Sequence, residues 1–310
     1  MTENSYDVLV VGGGAAGLSA ALMLGRARRR VVVVDGGSPR NAPAQHMHGF
    51  LSRDGLPPSE LLKIGREELA GYGVEMLEDQ VSALEPGFTA RLASGRELTA
   101  RRVLFATGVH DDLPDIPGLR ESWGTDAVTC PYCHGYEVRD QPLGVLGTEP
   151  ASVEHALLVR QWSPDVVYFA HTAPPSEADR ERLDARGIRV VDGTVTAVRR
   201  EAGHLTGVEV GTRFVPRTAL FLRTETVPHD DLMRGLGYEE TDAMGKTNVP
   251  GLWAAGNVVD ARATVIIAAA QGAAAGGALN HDLVGEDVQR AVDAHSGFTP
   301  TAERAAAAAR

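Results

Sequence analysis

The chain has 310 residues, of which 43% are hydrophobic and 23% charged, and its formal net charge at pH 7 is −11. This length allows about two domains with buried cores, which excludes a disordered acidic chain. The negative charge argues against nucleic-acid binding, and neither a long apolar run nor a basic leader is present, so we expect a soluble cytoplasmic protein with no membrane span.

The first 35 residues predict a strand, a helix and a second strand. The first strand covers Tyr6–Val11, and the second, Val31–Val34, ends at Asp35. The turn and helix start between them contain Gly12, Gly14, Ala15, Ala16 and Gly17. Glycines in this GxGxxG pattern allow a tight turn and a close approach of the backbone to a pyrophosphate at the helix N-terminus. The pattern therefore predicts a dinucleotide site in which Asp35 binds a ribose.

The next segment predicts a loop, a helix and a β-meander. Residues 36–58 are rich in glycine, proline, asparagine and histidine, and a helix is predicted from Ser59 to Tyr72 with Ser59 as its N-cap. Strand-like pieces follow at 74–84, 88–93, 97–99 and 101–108.

The middle of the chain weakly repeats this plan after a proline- and glycine-containing linker at 112–118. A strand at 142–147, a helix near 151–162 and a strand at 166–171 predict a second βαβ unit. Later segments predict strands up to residue 222, a strand and turn at 251–258, a small-residue helix and a helical tail, TAERAAAAAR. We expect an α/β fold in which a dinucleotide domain (1–116 and 242–310) is interrupted by a second domain (117–241).

Two further stretches carry a family resemblance. FATG at 105–108 and AAGNV at 254–258 resemble the second and third flavin-contacting segments of the two-domain flavoprotein disulfide reductases. With the glycine motif, the chain resembles the low-molecular-weight thioredoxin reductases from Tyr6 to Leu279. The resemblance implies FAD in a Rossmann-like domain, a smaller Rossmann-like nicotinamide domain that carries a CxxC pair, and a homodimer.

The resemblance also implies which residues contact FAD. Besides the glycine motif and Asp35, these are Arg40, Val81, Ala106, Thr107, Gly108, Gly256, Asn257, Thr264 and Val265. Asn257 stands where the family has aspartate, and Ala263 and Thr264 stand where it has an arginine–glutamine pair. The flavin contact at Asn257 is therefore expected to be altered, although an amide can still form hydrogen bonds.

The only two cysteines, Cys130 and Cys133, form a CxxC pair that is followed by His134. This spacing lets dithiol and disulfide interconvert with little backbone movement, and a helix N-terminus favours a thiolate. A redox pair is the preferred interpretation. A zinc site and an inert buried pair are the alternatives, but a structural zinc needs four spaced ligands, so no metal is expected. The resemblance makes Cys133 the thiol beside the flavin and Cys130 the exchanging thiol.

Four histidines are candidates for the site. His134 replaces an aspartate of the thioredoxin reductases and could take a proton from an attacking thiol, or it could only cap the local turn. His46, His48 and His110 lie in segments that flank the expected flavin-domain side of the site. These three are candidate substrate-pocket residues, with simple solvation as the alternative.

The expected nicotinamide turn, GTEPAS at 147–152, departs from the family pattern. Glu149 and Ser152 replace a glycine and an alanine, and Pro150 removes a backbone N–H. A carboxylate about 4 Å from a phosphate costs about 4 kcal/mol at an effective dielectric constant near 20. The next strand is followed first by prolines and acids rather than by arginines. NADPH is therefore not expected to bind, the alternative being an unusual binding mode.

CPYCHG with a disrupted nicotinamide turn resembles the FAD-dependent dithiol oxidases of disulfide natural products, the gliotoxin, holomycin and romidepsin type. The resemblance implies a small-molecule dithiol substrate, oxygen as acceptor and hydrogen peroxide as product. The alanine-, arginine- and glycine-rich composition favours a holomycin-type dithiolopyrrolone. Two alternatives stay open: a reductase fed by NAD(P)H or a protein donor, and a non-catalytic flavin protein that acts as a redox sensor or self-resistance binder.

Overall fold

The computed structural model describes residues 4–296, and the chain divides into two compact units. Unit 1 comprises Met1–Gly37, Leu62–Gly108 and His229–Arg310. Unit 2 comprises Ser38–Leu61 and Val109–Pro228. The sequence analysis expected a single inserted domain at 117–241, whereas the corresponding part of unit 2 runs from Val109 to Pro228. The loop-like segment 38–61 also belongs to unit 2. The predicted helix TAERAAAAAR lies outside the described residues.

The N-terminal part of the chain alternates strands and helices before a run of strands. Its elements are β1 (Ser5–Val11), α1 (Ala15–Arg26), β2 (Val31–Asp35), α2 (Pro58–Ala70), β3 (Glu75–Glu78), β4 (Val81–Glu85), β5 (Thr89–Leu92) and β6 (Glu97–Phe105). In one sheet the strand order is β3-β2-β1-β6-β5-β4. The neighbours β3, β2, β1 and β6 run parallel to one another. β5 pairs antiparallel with β6, and β4 pairs antiparallel with β5.

The middle of the chain forms most of unit 2. Its elements are β7 (Val109–Asp112), β8 (Ala127–Val128), α3 (Pro131–His134), β9 (Leu143–Leu146), α4 (Ser152–Val159), β10 (Val166–Phe169), α5 (Glu177–Ala185), β11 (Arg189–Val191), β12 (Val195–Glu201), β13 (His204–Val210), β14 (Arg213–Pro216), β15 (Ala219–Leu222) and β16 (Glu225–Pro228). A parallel sheet has the order β11-β10-β9-β15-β8, and β12-β13-β14 form an antiparallel sheet. The central strands are fully buried, as expected for parallel strands covered on both faces.

The chain then returns to unit 1 with α6 (Asp231–Gly235), β17 (Leu252–Ala254) and α7 (Val265–Ser296). β17 pairs in parallel with β6 and completes the seven-stranded sheet. The resulting unit has one core on each face of this sheet. None of the helices within residues 4–296 is long and apolar enough to cross a membrane.

Small residues let α7 pack tightly on α1. A Cβ atom on Gly272 would lie 2.0 Å from the backbone oxygen of Ala16, and one on Gly276 would lie 2.7 Å from that of Ala20. Neither position has room for a side chain. The glycines of α7 therefore fix the position of the helix that follows the first glycine motif.

Three local predictions need correction. The predicted strand at 74–84 is two strands, because Asp79 accepts hydrogen bonds from Gln80 and Ser94 in a turn, and β3 pairs with β2 rather than with the meander. The pieces at 97–99 and 101–108 belong to one strand, β6, that ends at Phe105. The second helix begins at Pro58, so Ser59 lies inside its first turn and is not its N-cap.

Candidate active site

The glycine turn of unit 1 has a geometry that suits a pyrophosphate. Gly12 has a φ of +103°, and a Cβ there would lie 2.4 Å from the oxygen of Ala106. A Cβ on Gly17 would lie 1.9 Å from the oxygen of Gly12, whereas one on Gly14 would meet nothing within 4 Å. Gly14 is the N-cap of α1, and the first turn of α1, at Ala15 and Ala16, has neither a side-chain cap nor an acidic residue. Its N–H groups therefore suit an anionic ligand.

Asp35 lies at the end of β2, where the sequence predicted the ribose-binding carboxylate. It accepts a hydrogen bond from the Gly13 N–H at 3.1 Å and another from Arg66 Nη2 at 2.7 Å. A Cβ on Gly13 would lie 2.7 Å from Asp35 Cγ, so only glycine fits there. The sequence interpretation did not use Gly13 or Arg66. The uninterrupted run of three glycines was an available signal for Gly13, whereas nothing in the sequence pointed to Arg66.

The second and third predicted flavin segments also lie in unit 1, at the ends of β6 and β17. The Ala106 N–H donates to Val11 O, and the Thr107 hydroxyl donates to His229 O at 2.7 Å. Gly108 has a φ of +70°. The predicted contact residue Val81 is buried at the start of β4.

Asn257 occupies the position where related reductases are expected to carry aspartate. Its Nδ2 donates to Asp260 O at 3.0 Å and to Ala263 O at 2.9 Å. The neighbouring Gly256 has a φ of +79° and donates its N–H to the side chain of Gln271 at 3.2 Å. The amide of Asn257 thus organises the turn that leads through Thr264 and Val265 into α7.

The cysteine loop of unit 2 connects β8 to α3. Cys130 and Cys133 form a disulfide with a Cα–Cα distance of 5.3 Å. Cys130 is the extended N-cap of α3, and Pro131 occupies the first turn, where its missing N–H costs no hydrogen bond. α3 is a single turn of four residues. Its dipole is therefore smaller than that of a full-length helix, and so is the thiolate stabilisation that the sequence analysis expected from it.

The cysteine loop packs against Trp162 on one side and exposes two tyrosines on the other. A Cβ on Gly135 would lie 2.9 Å from the ring of Trp162, and the Tyr132 ring stands edge-on to Trp162 at 5.3 Å between centroids. Tyr132 is 70% exposed and Tyr136 is 64% exposed. The loop is therefore anchored by tryptophan while its two tyrosines face solvent.

His134 follows Cys133 directly and is largely buried. Burial lowers the pKa of His134, partly opposed by the negative charge of Glu137 and by a hydrogen bond with the Cys130 backbone, while His48 adds to the lowering. The ring is therefore neutral near pH 7. Its Nδ1 atom is buried and has no hydrogen-bond partner within the described residues. A neutral ring with an unpaired nitrogen can act as a proton acceptor.

The three predicted pocket histidines have different surroundings in unit 2. His48 lies 3.4 Å from Asp54 and 3.5 Å from Glu137, which is three residues beyond His134. His46 contacts Gly55 O at 3.1 Å, and His110 contacts Asp112 at 3.5 Å. The structure therefore associates His48 with the cysteine loop through Glu137. The sequence interpretation did not single out Glu137.

Arg40, predicted as a flavin contact, lies in unit 2. Its Nε and Nη2 atoms donate to the two carboxylate oxygens of Asp111, each at 2.7 Å, and Thr224 also donates to Asp111. Burial raises the pKa of Asp111, but these hydrogen bonds outweigh burial and hold the pKa below its usual range. Within this unit, Arg40 ties the 38–61 segment to β7.

The turn at 147–152, which the sequence analysis compared with a nicotinamide turn, has its N–H groups occupied by the protein's own polar side chains. The Ser152 hydroxyl accepts hydrogen bonds from the N–H groups of Thr148 at 3.2 Å and Glu149 at 3.3 Å. The Glu149 carboxylate forms an ion pair with Arg223, and the Thr148 hydroxyl donates to Arg223 O at 2.9 Å. Backbone N–H groups at a turn of this kind are typical donors to a pyrophosphate when they have no partner within the protein.

Comparisons with known proteins agree with this geometry. The profile of the family described as pyridine nucleotide-disulphide oxidoreductase matches residues 6–277. The chain belongs to this family. Membership makes it an FAD flavoprotein and an oxidoreductase, and the glycine turn of unit 1 fits the cofactor. No group of three or more His, Cys, Asp or Glu residues between residues 4 and 296 is arranged to hold a metal ion.

One solved structure and two curated proteins illustrate what the chain is similar to. The crystal structure of HlmI is 53% identical, covers 96% of this chain and 98% of that chain, and superimposes with a TM-score of 0.93. Thioredoxin reductase sirT of Leptosphaeria maculans is 29% identical over 91% of this chain and 96% of its own length. A probable thioredoxin reductase of Arthroderma benhamiae is 35% identical over 57% of this chain, and the match spans 46% of that relative. The predicted two-domain flavoprotein disulfide reductase fold is confirmed.

Proposed function

We propose that this protein is an FAD-dependent dithiol oxidase that closes an intramolecular disulfide in a small natural product. A dithiolopyrrolone such as reduced holomycin is the best candidate substrate. One dithiol and one oxygen molecule give one cyclic disulfide and one hydrogen peroxide, so two electrons and two protons leave the substrate. HlmI and sirT are relatives over nearly the whole chain, and their similarity supports a disulfide-exchanging enzyme.

This proposal is carried by the turn at 147–152, whose N–H groups already donate to a side chain of the same turn. Ser152 occupies the N–H groups of Thr148 and Glu149, and Arg223 pairs with the Glu149 carboxylate. A phosphate would have to displace these contacts and approach a carboxylate. We therefore expect no productive NADPH binding. Without a nicotinamide donor, the substrate dithiol is the simplest source of the electrons.

The first step uses Cys130, Cys133 and His134. A substrate thiol transfers its proton to the neutral His134 ring, and its sulfur attacks Cys130 Sγ. The bond between the substrate sulfur and Cys130 forms, the Cys130–Cys133 bond breaks, and Cys133 leaves as a thiolate. The assignment of Cys130 as the exchanging thiol follows the family resemblance.

The second step releases the product. The other substrate thiol gives its proton to the Cys133 thiolate and attacks the substrate sulfur of the mixed disulfide. The ring disulfide forms, and Cys130 leaves as a thiolate that takes up the proton held by His134. Cys130 and Cys133 then hold the two electrons as a dithiol pair. FAD, held by the glycine turn of unit 1, would supply the two-electron acceptor chemistry that connects this dithiol pair to oxygen.

A disulfide reductase is the second candidate, because the relatives from Leptosphaeria maculans and Arthroderma benhamiae are both named thioredoxin reductases. In that case NAD(P)H or a protein donor would reduce the flavin and electrons would leave through the cysteine pair. Electron flow in the two functions is opposite, so one experiment separates them.

Anaerobic flavin bleaching tests the proposal. The FAD-loaded protein is mixed with dithiothreitol and, separately, with NADPH, and flavin absorbance is followed before air is admitted. We expect dithiothreitol but not NADPH to bleach the flavin, and air to restore the colour with release of hydrogen peroxide. The Cys133→Ser variant should keep its flavin and lose the bleaching. Rapid bleaching by NADPH would instead identify a reductase.

The proposal includes a cytoplasmic homodimer as the working form. The resemblance to the thioredoxin reductases implies the dimer, and the C-terminal half of α7 offers an apolar surface for it. Val284, Val288 and Val292 are spaced by four residues, so they share one face of the helix, and they are 42%, 56% and 55% exposed.

A further inference from the structure

Arg66 is a charged residue on the face of α2 that packs into the core of unit 1. Leu62, Arg66 and Leu69 are four and three residues apart, so they share one face of the helix. Leu69 is fully buried, and Leu62 packs against the same core. A Cβ on Gly65 has Leu18 Cδ1 of α1 at 2.9 Å, so α2 approaches α1 closely. The packing of α2 therefore fixes the point from which the Arg66 side chain extends.

The partner of Arg66 is the Asp35 carboxylate at the end of β2. Arg66 Nη2 donates to Asp35 Oδ2 at 2.7 Å, and the Gly13 N–H donates to Asp35 Oδ1 at 3.1 Å. Each carboxylate oxygen is thus held by a different donor and can still accept a second hydrogen bond. The side chains of Arg66 and Asp35 are 38% and 17% exposed, so the pair is partly shielded from water. It is therefore better fixed than an ion pair on the open surface.

This carboxylate touches the turn that is expected to hold the FAD pyrophosphate. Gly13 directly precedes Gly14, the N-cap of α1, and a Cβ on Gly13 would lie 2.8 Å from Asp35 Oδ2. A carboxylate at this place can accept a hydrogen bond from a ribose hydroxyl. Its negative charge also repels a pyrophosphate at the same turn. The two parts of the cofactor therefore make opposite demands on Asp35.

We propose that Arg66 is a positioning residue of the FAD site. It holds the Asp35 carboxylate in place for the ribose and balances its negative charge beside the pyrophosphate turn. Both effects act through Asp35, so the inference rests on the ribose-binding role predicted for that residue. It is independent of the direction in which electrons flow through the enzyme.

The test measures how tightly each variant retains FAD. The FAD-loaded protein is diluted stepwise, and the fluorescence of released flavin gives the FAD dissociation constant. We expect Arg66→Gln to raise this constant about fivefold to tenfold at low ionic strength. The increase should be smaller at about 0.5 M salt, because salt screens the repulsion between Asp35 and the pyrophosphate. Arg66→Lys keeps the charge but not the planar guanidinium, so it should restore part of the affinity.

A second pair of variants tests whether Arg66 acts through Asp35. In the Asp35→Asn protein no carboxylate charge is left to balance, so adding Arg66→Gln should change the FAD dissociation constant by less than about twofold. The matched control is Arg91→Gln on β5. Arg91 pairs with Glu97, and both side chains are 58% exposed in the same unit. This variant should retain FAD as tightly as the unmodified protein.

The inference is supported if Arg66→Gln loosens FAD, Arg66→Lys restores part of the affinity, and Asp35→Asn abolishes the effect of Arg66→Gln. It is wrong if Arg66→Gln retains FAD as tightly as the unmodified protein, or if the loss is as large in the Asp35→Asn background. Should Arg66→Gln not fold, Arg66→Lys alone decides, and an unchanged FAD dissociation constant in that variant contradicts the inference. None of these measurements uses a dithiol or NADPH, so the proposed function is tested separately.

Discussion

His155 is a buried histidine on α4, three residues after Ser152 in the degenerate nucleotide turn. Burial lowers the pKa of His155 to about 4, with a further contribution from the positive charge of Arg223. A hydrogen bond with the Thr129 backbone opposes this lowering, and the ring stands edge-on to Phe221. His155 is therefore neutral at pH 7 and links α4 to the residue that precedes the redox cysteines.

This burial makes the stability of the protein depend on pH. The unfolded chain takes up the proton of His155 near pH 6.5, whereas the folded chain does so only near pH 4. The contribution of His155 to stability is therefore fully present above about pH 6.5 and falls as the pH drops towards 4. The loss reaches at most about 3 kcal/mol. We expect His155→Gln to have a smaller drop in thermal midpoint between pH 7 and pH 5 than the unmodified protein.

The matched control for His155 is His281→Gln, which removes an exposed histidine from α7. It should retain the full pH dependence of the thermal midpoint. Equal slopes for the unmodified protein and His155→Gln would show that His155 does not contribute to the acid sensitivity.

Asn257 has a structural reason to differ from the aspartate expected by resemblance. Its amide donates to two backbone carbonyls, and a carboxylate at that position would face those two acceptors without a proton to share. We expect Asn257→Asp to destabilise the FAD-loaded protein by about 1–3 kcal/mol and to reduce its flavin content. Thermal unfolding and the ratio of flavin to protein absorbance measure both effects. Gln161→Glu, at an exposed amide, should change neither, and a fully flavinated, equally stable Asn257→Asp protein would contradict the expectation.

At the scale of elements, the packing of α7 on α1 depends on glycine at specific positions. A Cβ on Gly272 would meet the Ala16 oxygen at 2.0 Å, whereas one on Gly277 in the same helix would meet nothing within 4 Å. We expect Gly272→Ala to destabilise unit 1 by about 1–3 kcal/mol and to weaken FAD retention, because Ala16 belongs to the first turn of α1. Gly277→Ala should be neutral or stabilising by up to about 1 kcal/mol. Similar thermal midpoints for the two variants would refute this account of the helix contact.

Elements with a strong local signal could be predicted from the sequence. β1, α1 and β2 follow from the valine runs and the glycine motif, and the structure has them within a few residues of the predicted bounds. The split between β3 and β4 could not be predicted, because it depends on the Asp79 side chain meeting Ser94 from a distant turn. Hydrophobic periodicity has no information about such long-range polar contacts.

The same distinction applies to the candidate site. The CxxC pair and His134 are adjacent in sequence, so their association was visible without a structure. Glu137 could not be associated with His48 from the sequence, because only the fold brings the 38–61 segment close enough to place His48 3.5 Å from it. Arg66 likewise meets Asp35 across 31 residues of chain. Residues that act through contacts between distant segments need the fold before their role can be inferred.

At the scale of the whole molecule, the valine face of α7 determines the expected assembly. Val284, Val288 and Val292 are exposed on consecutive turns of the C-terminal half of this helix. Three exposed valines in one row are costly in water, and burying them against a second copy of the chain would remove that apolar surface. We therefore expect the FAD-loaded protein to sediment as a dimer at micromolar concentration.

Placing a charge in this row should break the dimer. Val288→Glu puts a carboxylate in the middle of the proposed contact, where it would be desolvated without a partner, and we expect the dimer dissociation constant to rise about tenfold or more. Gln289→Glu adds the same charge one residue later, outside the valine row, and should leave the dimer intact. Sedimentation velocity over a range of concentrations measures both. An unmodified protein that sediments as a monomer excludes the dimer, and an unchanged dimer in Val288→Glu places the interface on another surface. Because the cysteines and the glycine motif lie outside α7, flavin content should be the same in both variants, so a loss of the dimer can be separated from a loss of folding.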